Sequence, residues 1–412
     1  MFAARAAWDL APNELARRVE ARRAAGLPLH DLSESNPTRC RLPAAGEALR
    51  AALAGLSRDP RVLRYEPLPK GDPLARAAVA AHHGARGAPV DPERLVLTAG
   101  TSEGYAHLFR LLGDPGDRVL VPRPSYPLFD FLAGLEGLET VTYPLRLDRA
   151  AGAWRPDLAA LARASDARTR ALVVVHPNNP TGSCLRLEDA AALRGFCRER
   201  GLALIADEVF ADYADAPPRA GAWPASLLAG GDAEDAPLGF VLSGLSKLLG
   251  LPQLKLAWIA VTGPARLRDE ALARLEVVAD TYLSVSAPAA LLTPELLQHA
   301  DAVQAEIVAR VRENLARLDA TLERVEHAER LPRDGGWYAL VRVGARPGRP
   351  APDEDALVTA LLEQDGVLVQ PGWLFELEDE ADSAAHLVLS LLPAPEVFEP
   401  ALAALARRIA AA

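Results

Sequence analysis

Cysteine is scarce in this sequence, and its scarcity excludes two classes of protein. The 412 residues include three cysteines, Cys40, Cys184 and Cys197. They are too few and too scattered for a disulfide framework or a zinc site, so we expect no metal. So few cysteines are typical of a reducing compartment, and we expect a cytoplasmic location.

Long apolar runs and an excess of basic residues are also missing. No apolar run approaches the roughly 20 residues that a membrane-spanning helix requires, so no membrane contact is expected. The net charge is −10, whereas a nucleic-acid binder presents a basic face. The composition, 50% hydrophobic and 24% charged, excludes a mostly disordered chain. These values indicate a soluble α/β protein of enzyme size, with two or three domains at roughly 150 residues each.

The arginine-rich residues 1–26 have two interpretations, an organelle presequence or an amphipathic helix. Asp9, Glu14 and Glu20 fall inside this segment, and presequences are poor in acids. We therefore predict an amphipathic helix that begins near Asn13.

From about residue 70 the sequence alternates strand-like and helix-like segments. Residues 171–175 (ALVVV) and 202–206 (LALIA) are apolar without alternation, which is typical of strands buried on both faces. A helical pattern at 188–200 supplies a crossover between parallel strands. Further strands are predicted at 94–98, 118–121, 140–143, 240–243 and 256–261, and further helices at 73–83 and 102–112. The pattern predicts an α/β protein whose large domain has a mostly parallel, seven-stranded sheet flanked by helices.

The pattern of predicted strands and helices changes after about residue 288. One long helix is predicted at 294–326, followed by short strands at 337–343, 367–370 and 387–391 and helices at 353–363 and 396–411. We predict three parts: an N-terminal arm with part of the small domain (1–44), a large domain (45–288) and a small α+β domain (289–412). Residues 215–237, rich in Ala, Pro and Gly, are predicted as a surface excursion.

Two polar turns follow predicted strands, and doubly wound sheets bind ligands at the carboxyl ends of their strands. Residues 98–102 (TAGTS) open a helix, where backbone N–H groups and two hydroxyls can surround an anion. This turn is neither a Walker loop nor a GxGxxG motif. Residues 176–182 (HPNNPTG) fix a rigid turn that aims an asparagine. Either turn, taken alone, is equally an ordinary turn without function.

Two further strand ends carry charged residues. Asp207 ends a predicted buried strand, and a buried carboxylate must be paired or have a perturbed pKa. Lys247 stands among leucines after residues 240–243 (FVLS), an environment that lowers the pKa of an amine and makes it nucleophilic. An anion site, a rigid amide, a buried acid and a desolvated lysine together are what a pyridoxal phosphate site requires.

With these four motifs in this order, the sequence resembles the class I/II aminotransferases, the fold-type-I pyridoxal phosphate enzymes, from Asp31 to the C-terminal helix. The resemblance implies an aspartate aminotransferase-like fold and a homodimer with shared active sites. It also implies that the protein moves an amino group from an amino acid or amine to a 2-oxo acid.

The resemblance assigns roles to individual residues. Lys247 is expected to hold pyridoxal 5'-phosphate as an internal aldimine, a Schiff base, and later to act as general base and acid. Asp207 is expected to pair with the pyridine nitrogen, and Asn179 to hydrogen-bond the ring hydroxyl oxygen. Tyr126 is expected to lie against the ring. The remaining cofactor-binding residues are expected to be Gly100, Thr101, Ser102, Ser243, Ser246 and Lys255, with Tyr65 reaching the phosphate of the partner subunit.

Three positions depart from the family pattern in ways that bear on cofactor and substrate. Lys255 stands where an arginine normally grips the phosphate; lysine keeps the charge but loses the two-pronged contact. Phe210 replaces a tyrosine that donates to the ring oxygen, and Tyr213 is an expected substitute only if the backbone bulges. Val388 stands where an arginine normally binds the substrate α-carboxylate.

The N-terminal segment offers a replacement for the missing clamp. Ser35 and Asn36 lie in the segment that lines the substrate pocket in this family, and Ser35 replaces a glycine. Arg39 or Arg41 is a candidate for binding the carboxylate, or both simply face solvent. His386 is a further candidate cation.

Three functions stay open on the sequence. The first is a pyridoxal phosphate-dependent aminotransferase. The second is a lyase of the carbon–sulfur β-lyase type, or a decarboxylase, because these use the same residues. The third is a cofactor-binding regulator or a catalytically silent homologue.

Overall fold

The structure is a computed structural model that describes residues 1–215, 222–283, 285–377 and 384–411. Residues 216–221, part of the excursion predicted at 215–237, lie outside the described residues. Among the described helices, none has the length and apolar character needed to span a membrane.

The predicted helices are present with one correction, and the described chain has five more that were not predicted: Pro43–Leu56, Phe129–Leu135, Leu158–Ala164, Leu245–Leu248 and Ala265–Tyr282. The described helices are α1 (Glu14–Ala24), α2 (Pro43–Leu56), α3 (Pro73–Ala85), α4 (Thr101–Leu112), α5 (Phe129–Leu135), α6 (Leu158–Ala164), α7 (Leu187–Arg200), α8 (Leu245–Leu248), α9 (Ala265–Tyr282), α10 (Ala287–Gln298), α11 (Ala300–Leu322), α12 (Glu354–Ala360) and α13 (Pro395–Ala411). Asn13 caps α1 by accepting the Ala16 N–H at 2.8 Å, as predicted. The single helix predicted at 294–326 is wrong: α10 and α11 are separate helices that meet at His299.

Within the described residues, the strands form one large and two small sheets. The described strands are β1 (His30–Asp31), β2 (Leu95–Thr98), β3 (Arg118–Arg123), β4 (Glu139–Asp148), β5 (Ala153–Pro156), β6 (Thr169–Val175), β7 (Ala203–Asp207), β8 (Gly239–Gly244), β9 (Ala257–Thr262), β10 (Ala328–Arg330), β11 (Tyr338–Val343), β12 (Val367–Leu368), β13 (Gln370–Pro371) and β14 (Ala385–Ser390). The large sheet has the order β2-β9-β8-β7-β6-β3-β4-β5.

The large sheet is mixed and has eight strands rather than the predicted seven. Strands β8, β7, β6, β3 and β4 run parallel, whereas β9 is antiparallel to both its neighbours. The eighth strand, β5, folds back antiparallel on β4. It was missed because it has four residues and ends in Pro156, which is tolerated at a sheet edge.

Both faces of this sheet are buried, as the unbroken apolar runs predict. Val173 and Ile205 belong to a core cluster on one face, which helices α4 and α9 cover. Leu172 and Leu204 belong to a second cluster on the other face. The sheet is therefore the middle layer of an α/β structure, and the predicted fold class is confirmed.

A separate antiparallel sheet, β10-β11-β14-β13, forms the smaller part of the fold. The N-terminal strand β1 pairs in parallel with β12, so both chain ends contribute to this part. The boundaries at residues 44 and 288 stay a prediction.

Candidate active site

The parallel strands deliver four side chains to one edge of the large sheet. Tyr126 follows β3, Asn179 follows β6, Asp207 is the last residue of β7 and Lys247 lies in α8 directly after β8. These strands are neighbours in the order β8-β7-β6-β3. Because parallel strands end at the same edge, the topology brings the four residues together.

Lys247 lies in an aromatic enclosure. Its Nζ is 5.3 Å from the ring centre of Trp337 and 5.7 Å from that of Phe210. Burial lowers the pKa of the Lys247 amine, and the charge of Asp207 opposes this effect. The prediction of a desolvated lysine is confirmed. Compared with an exposed lysine, more of the Lys247 amine is in the unprotonated, nucleophilic form.

The Asp207 carboxylate is held by two donors. The Val209 N–H donates to Oδ1 at 3.2 Å, and the Tyr105 hydroxyl donates to Oδ2 at 3.1 Å. Burial raises the pKa of Asp207 to about 6, while these hydrogen bonds and the charge of Lys247 lower it. At neutral pH the group is therefore mostly an anion that can bind a cationic partner.

Tyr105 and Trp337 are contributors that the sequence reasoning missed. Tyr105 lies four residues after Thr101 on α4, so both occupy the same side of that helix. This four-residue spacing from a predicted cofactor-binding residue was the feature of the sequence that could have identified Tyr105. Trp337 follows two glycines directly before β11, but nothing in the sequence places it beside Lys247.

Asn179 lies in a turn that neighbouring side chains fix. The Asn178 Oδ1 accepts the Thr181 hydroxyl at 2.9 Å, and the Asn178 amide donates to the Pro124 carbonyl at 3.3 Å. Gly182, with φ +68°, takes a conformation that favours glycine. Asn179 is buried, and its Oδ1 has no hydrogen-bond partner among the residues that the structure describes.

The predicted phosphate-binding residues gather around the start of α4. Gly100 precedes this helix, and Thr101 and Ser102 are in its first turn. The backbone N–H groups of a first turn have no acceptor within the helix. A Cβ at Gly100 would lie 3.4 Å from the Lys255 Nζ, so the lysine reaches this helix end. Ser102 and Lys255 are exposed. The structure therefore brings a cation and a helix N-terminus together, an arrangement that suits an anion.

Ser243 and Ser246 stand on either side of the β8–α8 junction. Ser243 is buried in β8, and Ser246 is partly exposed in α8, one residue before Lys247. Ser246 is therefore adjacent to the lysine along the chain, and Ser243 lies four residues before it.

Tyr213 is engaged elsewhere and does not replace the hydroxyl that Phe210 lacks. The Tyr213 hydroxyl donates to the Lys247 carbonyl at 2.8 Å and to the Leu248 carbonyl at 3.1 Å. Its ring contacts Trp337 at a centroid distance of 5.1 Å. Tyr213 thus supports the backbone of α8.

Position 388 offers no cation. Val388 is fully buried in β14, between Leu340 of β11 and Gln370 of β13. His386, two residues earlier, is also buried, and its backbone N–H donates to Glu354 at 2.7 Å.

The candidate replacement cations lie at the surface. The Arg39 side chain is 73% exposed and pairs with Glu34 at 3.5 Å. Arg41 is exposed. The Asn36 Oδ1 accepts the Thr38 N–H at 3.1 Å and caps the turn that precedes these arginines.

Ser35 and Tyr126 share a neighbour, the Tyr338 hydroxyl. Ser35 lowers the pKa of this hydroxyl and Tyr126 raises it. Burial raises the pKa of Tyr338 to about 12. Tyr126 is itself exposed, as is Tyr65 at 82%.

The three cysteines are buried and free. Within the described ranges, no cluster of three or more His, Cys, Asp or Glu side chains is arranged to hold a metal ion.

Comparison with known proteins agrees with this geometry. The family model "Aminotransferase class I and II" matches residues 29–384. The chain is 30% identical over 309 residues to valine–pyruvate aminotransferase of Mycobacterium tuberculosis, covering 74% of each protein. It is 30% identical over 339 residues to LL-diaminopimelate aminotransferase of Desulforudis audaxviator, covering 81% of this chain and 80% of that protein. A mutant aspartate aminotransferase of Thermus thermophilus superimposes with a TM-score of 0.80 at 25% identity, covering 99% of both chains.

The fold and the site define an enzyme that transfers amino groups. The chain belongs to the class I and II aminotransferase family. This family uses pyridoxal phosphate and acts on amino acids and 2-oxo acids.

Proposed function

We propose that this aminotransferase binds pyridoxal phosphate through Lys247 and moves an amino group from an amino acid or amine to a 2-oxo acid. The observation that carries the proposal is the placement of Lys247, Asp207 and Asn179 at the ends of adjacent parallel strands. A lysine with a lowered pKa, an anionic carboxylate and a buried amide occupy one edge of the sheet. This set favours an enzyme over a binding protein, because a binding protein needs no desolvated amine.

The residues present fit the cofactor. The unpartnered Oδ1 marks Asn179 as a buried amide with hydrogen-bonding capacity to spare, which the ring hydroxyl would use. The α4 N-terminus with the Lys255 Nζ beside Gly100 fits the phosphate. The free lone pairs of Asp207 fit the protonated pyridine nitrogen.

The side chains divide the chemistry among them. When bound, pyridoxal phosphate supplies an aldehyde carbon that reacts with amines and a ring that accepts electrons. Asp207 holds a proton on the ring nitrogen. Once substrate has bound, the Lys247 Nζ is free. It takes the proton from the substrate α-carbon and gives it back when the product forms. Trp337 and Phe210 enclose the Nζ, and burial lowers its pKa.

Substrate binding needs an anchor other than residue 388. We propose that Arg39 or Arg41 binds the α-carboxylate, with Ser35, Asn36 and Tyr126 lining the pocket. The influence of Ser35 and Tyr126 on the pKa of one group, the Tyr338 hydroxyl, supports this, because it indicates that the N-terminal segment lies near the residue that follows β3. The Arg39–Glu34 pair is exposed and so costs little to break.

We also propose a homodimer in which Tyr65 reaches the partner's phosphate. Tyr65 is 82% exposed, and Leu63 and Leu68 beside it are exposed as well. Adjacent exposed apolar side chains are typical of an interaction surface. The cytoplasmic location stays a prediction.

Half-reaction spectroscopy tests the proposed function. Purified protein loaded with pyridoxal phosphate should change its visible absorption when an amino donor is added, and a 2-oxo acid should reverse the change. Lys247→Ala should abolish both responses. A protein that cannot be loaded with the cofactor would refute the proposal, and pyruvate with ammonia formed without an acceptor would favour the lyase.

Steady-state kinetics of arginine variants test the anchor. If Arg39 binds the α-carboxylate, Arg39→Ala should raise KM for amino acid donors while Arg41→Ala leaves it unchanged, and the reverse pattern would assign the role to Arg41. Unchanged KM values in both variants would refute both assignments.

A further inference from the structure

We propose that Tyr105 is a positioning residue that holds the Asp207 carboxylate for the cofactor ring nitrogen. The inference rests on the proposed function, since it gives Asp207 a cofactor to meet. It adds a hydroxyl from α4 to a task that the sequence assigns to the carboxylate alone.

The contact is close and leaves the carboxylate available. The Tyr105 hydroxyl donates to Oδ2 at 3.1 Å, and the Val209 N–H occupies Oδ1 at 3.2 Å. A carboxylate accepts about four hydrogen bonds, so capacity remains for the ring nitrogen. Tyr105 is 3% exposed, whereas Asp207 is partly exposed. Tyr105 therefore supports the carboxylate from its buried side.

The tyrosine ring is fixed by its neighbours. Phe109 and Phe129 lie at centroid distances of 5.7 and 5.4 Å. The preceding residue, Gly104, lets α4 approach the sheet, because a Cβ there would lie 2.8 Å from the Leu242 side chain. This packing places the hydroxyl at the end of β7, where it meets Asp207.

The hydroxyl also counters the desolvation of the carboxylate. Burial raises the pKa of Asp207 to about 6, and the Tyr105 hydrogen bond lowers it. Burial and the Asp207 charge raise the pKa of Tyr105 well above its usual range, so it remains a donor. Three other groups interact electrostatically with this pair. Lys247 lowers the pKa of Asp207, and the charge of Asp207 raises the pKa of Glu208. Tyr143 raises the pKa of Tyr105.

The test compares two cofactors on three proteins. Wild type, Tyr105→Phe and the control Tyr143→Phe are titrated with pyridoxal phosphate and with its deaza analogue, which has a CH in place of the ring nitrogen. The ratio of the two dissociation constants measures the interaction of Asp207 with the nitrogen. Tyr143 is a matched control because it is equally buried and donates to the Val173 carbonyl instead.

The expected effect depends on pH. With a pKa of about 6, Asp207 is half ionised at about pH 6, and loss of the Tyr105 hydrogen bond raises this pKa. A hydrogen bond to a charged group typically changes an ionisation constant about tenfold, which would leave about a tenth of Asp207 ionised at pH 6. We therefore expect Tyr105→Phe to lose about fivefold of the preference for pyridoxal phosphate near pH 6, and to match wild type above about pH 8. Tyr143→Phe should match wild type throughout.

Each outcome decides one claim. A Tyr105→Phe protein whose preference near pH 6 equals that of wild type and Tyr143→Phe overturns the role of Tyr105. If Tyr105→Phe does not fold, fluorotyrosine placed at position 105, a stronger donor, should raise the preference, and an unchanged preference overturns the proposal. A wild type that does not prefer pyridoxal phosphate over the analogue refutes the proposed function of Asp207 itself.

Discussion

Replacing Asp207 by asparagine should stabilise the cofactor-free protein while weakening cofactor binding. The side chain stands at the end of a buried strand, and its pKa is raised by burial from 3.8 to about 6. Asparagine has the same shape and carries no charge to desolvate. Its Oδ1 can still accept the Val209 N–H, and its amide NH2 can donate to the Tyr105 hydroxyl oxygen. The function of the site and the stability of the fold are therefore opposed at this residue.

The pKa difference sets the size of the effect. Because the folded-state pKa lies above the unfolded one, protonation favours the folded protein, and this contribution is lost as the pH rises from about 4 to about 6. A difference of about two pKa units at ~1.36 kcal/mol each makes ionised Asp207 cost about 3 kcal/mol above pH 6. Asp207→Asn should remove most of this cost near pH 7 and little of it near pH 4.

Chemical denaturation of the cofactor-free protein at two pH values measures the effect. Asp207→Asn should unfold at higher denaturant concentration than wild type near pH 7, and the gap should shrink near pH 4. The control is Asp212→Asn, which should destabilise because Asp212 pairs with Arg86 at 2.5 Å and its pKa is lowered. An Asp207→Asn protein less stable than wild type near pH 7 would refute the reasoning.

Two further variants test neighbouring parts of the site. Burial raises the pKa of Glu208 to about 7. The variant Glu208→Gln still accepts the Leu227 N–H but has no charge to desolvate. In a denaturation assay it should therefore add up to about 3 kcal/mol to the free energy of unfolding above pH 7, and little near pH 4. Equal gains at both pH values would contradict the pKa argument. Tyr213→Phe should cost about 1–3 kcal/mol in the same assay, because the Lys247 and Leu248 carbonyls lose a buried donor. It should also lower kcat, and stability and kcat values equal to wild type would show that the hydroxyl does not support α8.

The fold was predictable where burial imposes a pattern. The runs that became β6 and β7 are apolar on both faces, and the polar residues after them mark the ligand edge of the sheet. Short edge elements carry no such pattern. Strand β5 has four residues and forms by folding back on the adjacent β4, and the two-residue strand β1 forms by pairing with the distant β12, so their own residues do not predict them.

The break between α10 and α11 was missed for a related reason. Both halves are rich in Ala and Leu, and Pro294, taken as the start of a helix, lies inside α10. Local propensity favours helix on both sides of His299, and tertiary packing decides where the chain turns.

The candidate site was predictable in its charged members and not in their supports. Three members are recognisable in the sequence because each is a polar residue that follows a predicted buried strand: Lys247, Asp207 and Asn179. Tyr105 and Trp337 look like ordinary core aromatics in the sequence, and their roles depend on distances to residues far away in the chain.

The position of the covalent bond between protein and cofactor decides whether Lys247 is the residue that holds the cofactor. The holoenzyme is treated with borohydride, which reduces a lysine–cofactor Schiff base to a stable amine, and the digested protein is analysed by mass spectrometry. We expect one cofactor adduct, on Lys247. An adduct on another lysine, or none in a protein that binds the cofactor, would contradict this expectation.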